Sequence, residues 1–284
     1  MMRAALPVVY KAAGKGPFPF TYSFIQQIFC MKQMFIAAAA ATLLASCTHI
    51  YYAPNTANMP LLSEKGETRV NGVYCKGLDT EFTGGELQLA HAFGPNWGIM
   101  VNGMSISKQE NTGDYMESGK GSYAEIAAGI FKPLSADKKW IVELYGGGGK
   151  GSVKNDYGLG SHSTVGISKL FVQPAMGFKT KYFEAAFAPK LSYVSWNVKD
   201  KTMMHDDPNS ERGMDAADLV TIENGPNFMA FEPAIIVRTG GKGFKVQGAL
   251  SFSSNSKNNE NTFLAESVNA SLGISVNFAT AKKQ

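Results

Sequence analysis

Cysteine is scarce in this chain, with three among 284 residues. Cys30 and Cys47 belong to an apolar N-terminal stretch, so Cys75 is alone in everything that follows. A single cysteine excludes an internal disulfide framework. Long apolar runs are also missing after residue 47, where no stretch approaches the roughly 18 residues of a membrane-spanning helix. If the protein crosses a membrane, strands must do it.

An excess of charge is missing as well, once the N-terminal stretch is set aside. The chain carries 27 Lys and Arg against 23 Asp and Glu, a formal net charge of +4. Four cations and no acids precede Cys47, at Arg3, Lys11, Lys15 and Lys32. The 238 residues from Cys47 onward are therefore neutral. This neutrality excludes nucleic-acid binding driven by net charge.

The N-terminal stretch has the order of a bacterial lipoprotein signal. A short basic start over 31–33 precedes an apolar core over 34–44, and two small residues stand directly before Cys47. In the signals that it resembles, cleavage precedes the cysteine, whose thiol carries a diacylglycerol. The resemblance predicts a signal peptide over 31–46 and lipidation of Cys47; an ordinary signal peptide with an incidental cysteine is the alternative. We interpret residues 1–30, with three prolines and no coherent apolar face, as a mis-assigned start.

The segment after Cys47 is polar and rich in turn-forming residues. Pro54 and Pro60 interrupt it, and asparagines and Gly66 add turn chemistry. Such a composition is typical of an extended linker. We therefore interpret residues 47–67 as a lipid-anchored tether.

Alternation of apolar with polar residues dominates the chain from residue 68 to residue 278. Every second residue from Val268 to Phe278 is apolar, and those between are polar or small, which is the period of a β-strand. No long amphipathic helix competes. The pattern predicts about ten strands, at roughly 68–76, 83–93, 96–107, 121–131, 139–151, 164–178, 181–197, 228–238, 243–254 and 265–278. We expect an all-β, up-and-down antiparallel transmembrane β-barrel over 68–278, followed by a tail over 279–284.

The predicted connections alternate in length and chemistry. Short turns lie at 94–96, 133–138, 180–181 and 239–242, and longer polar loops at 77–82, 108–120, 152–163, 199–227 and 255–264. Outer-membrane barrels likewise have short periplasmic turns and longer extracellular loops. Ten strands place both ends of the barrel at the short-turn rim. The lipid on Cys47 is expected at that same periplasmic side.

The polar faces of the strands favour a membrane barrel whose apolar faces point outward. Ser, Gly, Ala, Asn and Gln dominate them, with isolated charges, and most other charge lies in the loops. A periplasmic, lipid-anchored, lipocalin-like carrier with inward apolar faces is an alternative. Ten strands leave little free interior, so we expect opposed lumen charges to pair and fill it; a narrow pore is the other alternative. The predicted lumen charge network is Glu86, Glu125, Glu143, Lys169, Glu184, Lys190, Glu232, Arg238 and Lys245.

Aromatic and proline residues also bear on the barrel. An interface girdle is predicted near the strand ends, from Phe93, Trp97, Trp140, Phe178, Tyr182 and Phe244. Pro174, Pro189 and Pro233 fall inside predicted strands. Because proline lacks a backbone donor, we expect bulges there or different strand limits.

Two motifs suggest chemistry, and neither fits it. The run from Tyr145 to Ser152 resembles a phosphate-binding loop, but Gly151 separates Lys150 from the serine and no helix follows. Its glycines instead predict sharp curvature or close backbone approach. The longest loop holds His205, Asp206, Asp207, Glu211, Asp215 and Asp218, which could bind a metal or act as a base, as acids and a histidine do in omptin proteases. The omptin motif and the spacing of a calcium loop are both unmatched, so no catalytic, cofactor or metal residue is predicted.

The signal, the segment from Tyr52 to Asn55, the stretch from Pro60 to Gly72 and the strand meander together resemble small outer-membrane β-barrel lipoproteins of Bacteroidota. The resemblance covers most of 31–284 and implies a location and an architecture rather than a reaction. From the signal and the alternating loop lengths we expect a non-enzymatic protein with a structural or surface-binding role. Its implied partners are outer-membrane lipid and the machineries of barrel assembly and lipoprotein sorting. Two departures stand out. Phe278 is followed by further residues rather than ending the chain, and no acid follows Cys47, which favours a lipid facing the periplasm.

Overall fold

A computed structural model describes residues 49–111, 116–203, 211–255 and 264–278, without the side chains of 211–215. Strands dominate it, with a single helix, α1 (Glu211–Asn224), among the described residues. The strands are β1 (Thr68–Gly77), β2 (Thr83–His91), β3 (Trp97–Asn111), β4 (Met116–Pro133), β5 (Trp140–Asp156), β6 (His162–Lys179), β7 (Phe183–Thr202), β8 (Asn227–Gly240), β9 (Phe244–Phe252), β10 (Ser254–Asn255) and β11 (Val268–Phe278). No helix among these residues is long and apolar enough to cross a membrane.

Ten strands close into an antiparallel barrel. Each strand from β1 to β9 pairs with the next, and β11 pairs with both β9 and β1. The closing pair runs from Thr68 opposite Phe278 to Gly77 opposite Asn269. The two-residue β10 adds one short pairing to β8. The predicted all-β, ten-stranded up-and-down barrel is confirmed.

The apolar faces of the strands point outward. Ile274 is 48% exposed and Leu170 is 65% exposed, whereas their neighbours Ser275 and Lys169 are buried. Aromatic side chains border this apolar belt where the connections are short. Phe93, Trp97, Trp140, Tyr182 and Phe244 are exposed there, and the Phe178 ring lies 5.2 Å from that of Trp140. This arrangement is the inverse of a lipocalin-like carrier, which would keep its apolar faces inside.

The connections differ from the prediction at one end of the barrel. We call the end with connections 92–96, 134–139, 180–182 and 241–243 the turn rim, and the opposite end the loop rim. At the loop rim, 78–82 lies where it was predicted, but 112–115 and 157–161 are shorter than predicted, because β3 to β6 extend through residues that were assigned to loops. Two connections there are long, 203–226 with α1 and 253–267 with β10. The extended strands carry outward polar residues such as Lys120 and Lys154, so that end projects beyond the apolar belt.

The three strand prolines are accommodated without the expected bulges or changed limits. Pro189 pairs with Pro233 across β7 and β8. The register of β6 with β7 continues from Val172 opposite Leu191 to Met176 opposite Phe187, without ladder partners at the residues between, which include Pro174. Pro233 lies where pairing of β8 passes from β9 to β10. The prolines form one row at interruptions of the ladder, where a missing donor costs least.

Candidate functional site

The barrel lumen contains a segment of the chain itself. Residues 50–62, here called the plug, are buried without exception. The sequence led us to expect a lipid-anchored tether over 47–67; in the structure, residues 50–62 of that range lie buried inside the barrel. Asn55, Thr56 and Asn58 of the plug hydrogen-bond polar side chains of the wall, and most of its other residues pack in buried apolar clusters with wall residues. Cys47 lies outside the described residues.

Side chains of the wall bind the plug backbone. A buried carbonyl needs a donor, and an extended segment without a ladder partner must find that donor among side chains. Pro54 and Pro60 reduce the need for acceptors, since proline has no N–H group. The donor–acceptor pairs, at 2.7–3.1 Å, are Asn155 to Ile50, Trp196 to Tyr51, Asn269 to Pro54, Gln88 to Thr56, Gln173 to Asn58, Arg238 to Met59 and Lys179 to Leu61.

Two predicted lumen acids bind the plug rather than a cation. Glu86 accepts hydrogen bonds from the backbone N–H and the hydroxyl of Thr56, both at 2.9 Å. Glu143 accepts the N–H of Leu62 at 3.0 Å. Neither takes part in an ion pair among the described residues. These acids therefore fix the plug at two heights in the barrel.

A second group of charges surrounds the middle of the plug. Glu125 lies 3.3 Å from the ammonium of Lys190 and 3.5 Å from that of Lys169. Asn55 of the plug donates to Glu125 at 2.8 Å and accepts from Lys169 at 3.1 Å. Its side-chain amide thus occupies a position between opposite charges. Glu232 accepts hydrogen bonds from the hydroxyls of Tyr52 and Ser192.

A third group lies near the turn rim, centred on Glu184. Arg69 contacts this carboxylate through both terminal nitrogens, at 2.5 and 2.9 Å. Arg238 and Lys245 lie 3.2 and 3.0 Å from it. A fork of two parallel N–H bonds is the strongest geometry for a carboxylate and a guanidinium. One acid therefore holds three cations from β1, β8 and β9 against β7.

The plug is closed off differently at its two ends. At the loop rim, Tyr51 and Tyr52 pack in one apolar cluster with Trp196 and with Leu219 and Ile222 of α1. An ion pair of Lys201 with Glu223, at 2.6 Å, holds α1 to β7.

At the turn rim, Glu67 pairs with Lys179 and accepts hydrogen bonds from Ser63 and Asn277 at 2.7 and 2.6 Å. Burial opposes ionisation of Glu67, but the Lys179 ammonium and these donors hold its pKa below the ordinary value. The carboxylate therefore stays charged where the plug turns into β1.

The glycine run in β5 makes room in the wall. A Cβ at Gly149 would lie 2.3 Å from the Tyr123 hydroxyl, and one at Gly147 would lie 2.2 Å from the Ile126 carbonyl oxygen. Only glycine allows β4 and the tyrosine to come this close. The run shapes the lumen, which agrees with the predicted close backbone approach.

All nine predicted network residues point into the lumen and are buried. Sequence reasoning missed the plug, and with it Arg69, Lys179 and Glu67. Arg69 lay in a predicted strand, two positions before the inward Asn71, so strand parity could have assigned it.

The candidate residues of the longest loop are mostly not described. His205, Asp206 and Asp207 lie outside the described residues, as do the side chains of Glu211 and Asp215; Asp218 is half-buried in α1. The described residues contain no cluster of His, Cys, Asp and Glu that could hold a metal.

The solved structures that resemble the chain include barrel proteins of the outer membrane. No protein-family model and no curated protein matches it. Ail of Yersinia pestis matches 75% of this chain and 99% of its own, at 12% identity and a TM-score of 0.31. The translocator domain of the autotransporter NalP from Neisseria meningitidis matches 75% and 86%, at 12% and 0.32. Omp33 of Acinetobacter baumannii matches 76% and 100%, at 9% and 0.22.

Proposed function

We propose that the protein is an outer-membrane β-barrel lipoprotein, anchored through Cys47, that uses its loop rim for a structural or surface-binding role and catalyses no reaction. One observation carries this proposal: beneath an apolar exterior, the lumen is filled by residues 50–62 of the same chain. A barrel filled in this way has its interior committed to its own stability. The surface left for partners is the projecting loop rim.

The charges of the lumen support this interpretation. Around the plug lie the acids Glu67, Glu86, Glu125, Glu143, Glu184 and Glu232 and the cations Arg69, Lys169, Lys179, Lys190, Arg238 and Lys245; two further buried acids, Glu117 and Glu266, lie toward the loop rim. Each of these six cations lies within 4 Å of one of the carboxylates, so none is left free to attract an anion. Removing one member of a buried pair is strongly destabilising. The network therefore favours a fixed interior over the narrow pore that the sequence left open.

Membrane insertion is tested through the mobility of the protein on gels. The folded barrel, extracted in detergent, should migrate differently before and after boiling. A lipid-soluble photolabel should react with Leu272 and Ile274 on the outer face. A chain that partitions as soluble after Cys47→Ser, without a mobility shift on boiling, would reject the membrane barrel.

Lipidation is tested separately by growth with a labelled fatty acid. The wild-type protein should carry the label, and the Cys47→Ser variant should not. An unlabelled wild-type protein would reject the lipid anchor while leaving the barrel intact.

A further inference from the structure

The direction in which the plug runs determines where the N-terminal end of the chain leaves the barrel. β1 begins at the turn rim, where Thr68 pairs with Phe278. Preceding it, Leu62 donates to Glu143, which lies near the start of β5 and hence near the same rim. Asn55 is bound by Glu125 in the middle of β4. Going backward along the sequence, the plug therefore moves away from the rim at which β1 starts.

The first described residues complete this path at the loop rim. Asn155, the second-last residue of β5, donates to the Ile50 carbonyl at 2.9 Å. His49 lies 3.2 Å from Glu117, the second residue of β4. β5 ends and β4 begins at the loop rim. The chain therefore passes through the whole lumen between Glu67 and His49.

We propose that the N-terminal end emerges at the loop rim, so that the lipid on Cys47 inserts into the outer leaflet beside the long loops. This inference rests on the lipidation and membrane insertion in the proposed function. Two peptide units separate Cys47 from His49, so their Cα atoms lie within about 7.6 Å of each other. The even strand number does place β1 and the C-terminal end of β11 at the turn rim. The even strand number does not place the lipid at the turn rim, because the plug runs back through the lumen and brings the N-terminal end to the loop rim.

The filled lumen also limits the order of assembly. A diacylglycerol is apolar, whereas polar groups line the space that the plug fills. Once β1 and β11 have paired, the acylated end cannot be drawn through. The barrel must therefore close around a plug whose acylated end is already on the loop side.

Three single cysteine variants test the path with a membrane-impermeant maleimide on intact cells. Thr48→Cys reports the N-terminal end, Asn224→Cys the exposed end of α1 at the loop rim, and Lys242→Cys an exposed turn at the opposite rim. Cys75 is buried and serves as background. We expect Thr48→Cys to react in intact cells to the same extent as Asn224→Cys. Lys242→Cys should react only after lysis.

Each outcome has a definite meaning. If Thr48→Cys reacts only after lysis, as Lys242→Cys does, the proposed path is wrong while the membrane barrel stands. If Asn224→Cys and Lys242→Cys react equally in intact cells, the membrane barrel itself is rejected. Surface-labelled Thr48→Cys molecules, captured and assayed for incorporated fatty acid, should contain as much as the total pool. Capture of molecules without fatty acid, from a pool that contains it, would overturn the position of the lipid.

Discussion

The two halves of the lumen hold the same segment by different chemistry. In the loop half, Tyr51 and Tyr52 are enclosed by Trp196, Leu219 and Ile222, and the contacts are mainly apolar. In the turn half, the Met59 carbonyl binds Arg238, which also binds Glu184. Apolar packing tolerates small displacements, whereas charge pairs in fixed geometry do not. The turn half therefore sets the register of the plug, and the loop half seals it.

Replacing the whole plug tests whether both halves need it, and it should give the largest effect. We expect a Gly-Ser sequence of equal length in place of residues 50–62 to lower the free energy of unfolding by more than about 5 kcal/mol, beyond the usual range for single substitutions. It should also give discrete conductance steps in planar bilayers, where the wild type is silent. Heat-dependent gel mobility shows that the variant barrel has folded. Conductance by the wild type would contradict the filled lumen and would favour the alternative of a narrow pore.

The turn half is tested by Glu184→Gln, which leaves three cations without their acid. Breaking a buried pair costs about 3–5 kcal/mol, so urea unfolding should show a loss of that size. Glu64→Gln at the same rim is the matched control, because the Glu64 pair with Lys138 is solvent-exposed and such pairs contribute about 1 kcal/mol or less. If the two variants lose the same free energy of unfolding, the buried charge pairs do not fix the plug in the turn half.

The sequence predicts the strands of the barrel wall well and the plug poorly. Period-2 alternation determines which residues share a face of a strand, and the composition of the polar faces then assigned Leu272 outward and Glu184 inward. The plug has no such period: Ile50, Tyr51 and Tyr52 are consecutive, and Pro54 and Pro60 suit a linker as well as an extended buried segment. Its burial depends on donors from many strands at once. A pattern along the chain cannot show which side chains of distant strands will donate to the same buried segment.

The loop half is tested by Leu219→Ala in α1, which should cost about 2–4 kcal/mol by opening a cavity under the apolar cluster. Val220→Ala on the exposed side of the same helix should stay within about 0.5 kcal/mol. Unfolding of both variants in urea gives the comparison. If Leu219→Ala proves as mild as its neighbour, α1 does not seal the plug. Conductance should remain absent in both variants, because the charged half is intact.

The smallest expected effect concerns pH and the residue where the plug joins β1. The pKa of Glu67 lies below its ordinary value because the Lys179 ammonium and the donors from Asn277 and Ser63 outweigh the effect of burial. A carboxyl whose pKa falls on folding stabilises the folded state above its unfolded pKa, near 4.5, and loses that contribution as pH falls further. The wild type should therefore lose stability below about pH 4.5 more steeply than Glu67→Gln. Glu64→Gln should keep the wild-type slope, since its partner is solvent-exposed. Parallel acid profiles for wild type and Glu67→Gln would show that the charge at this turn does not help to fix the register of the plug.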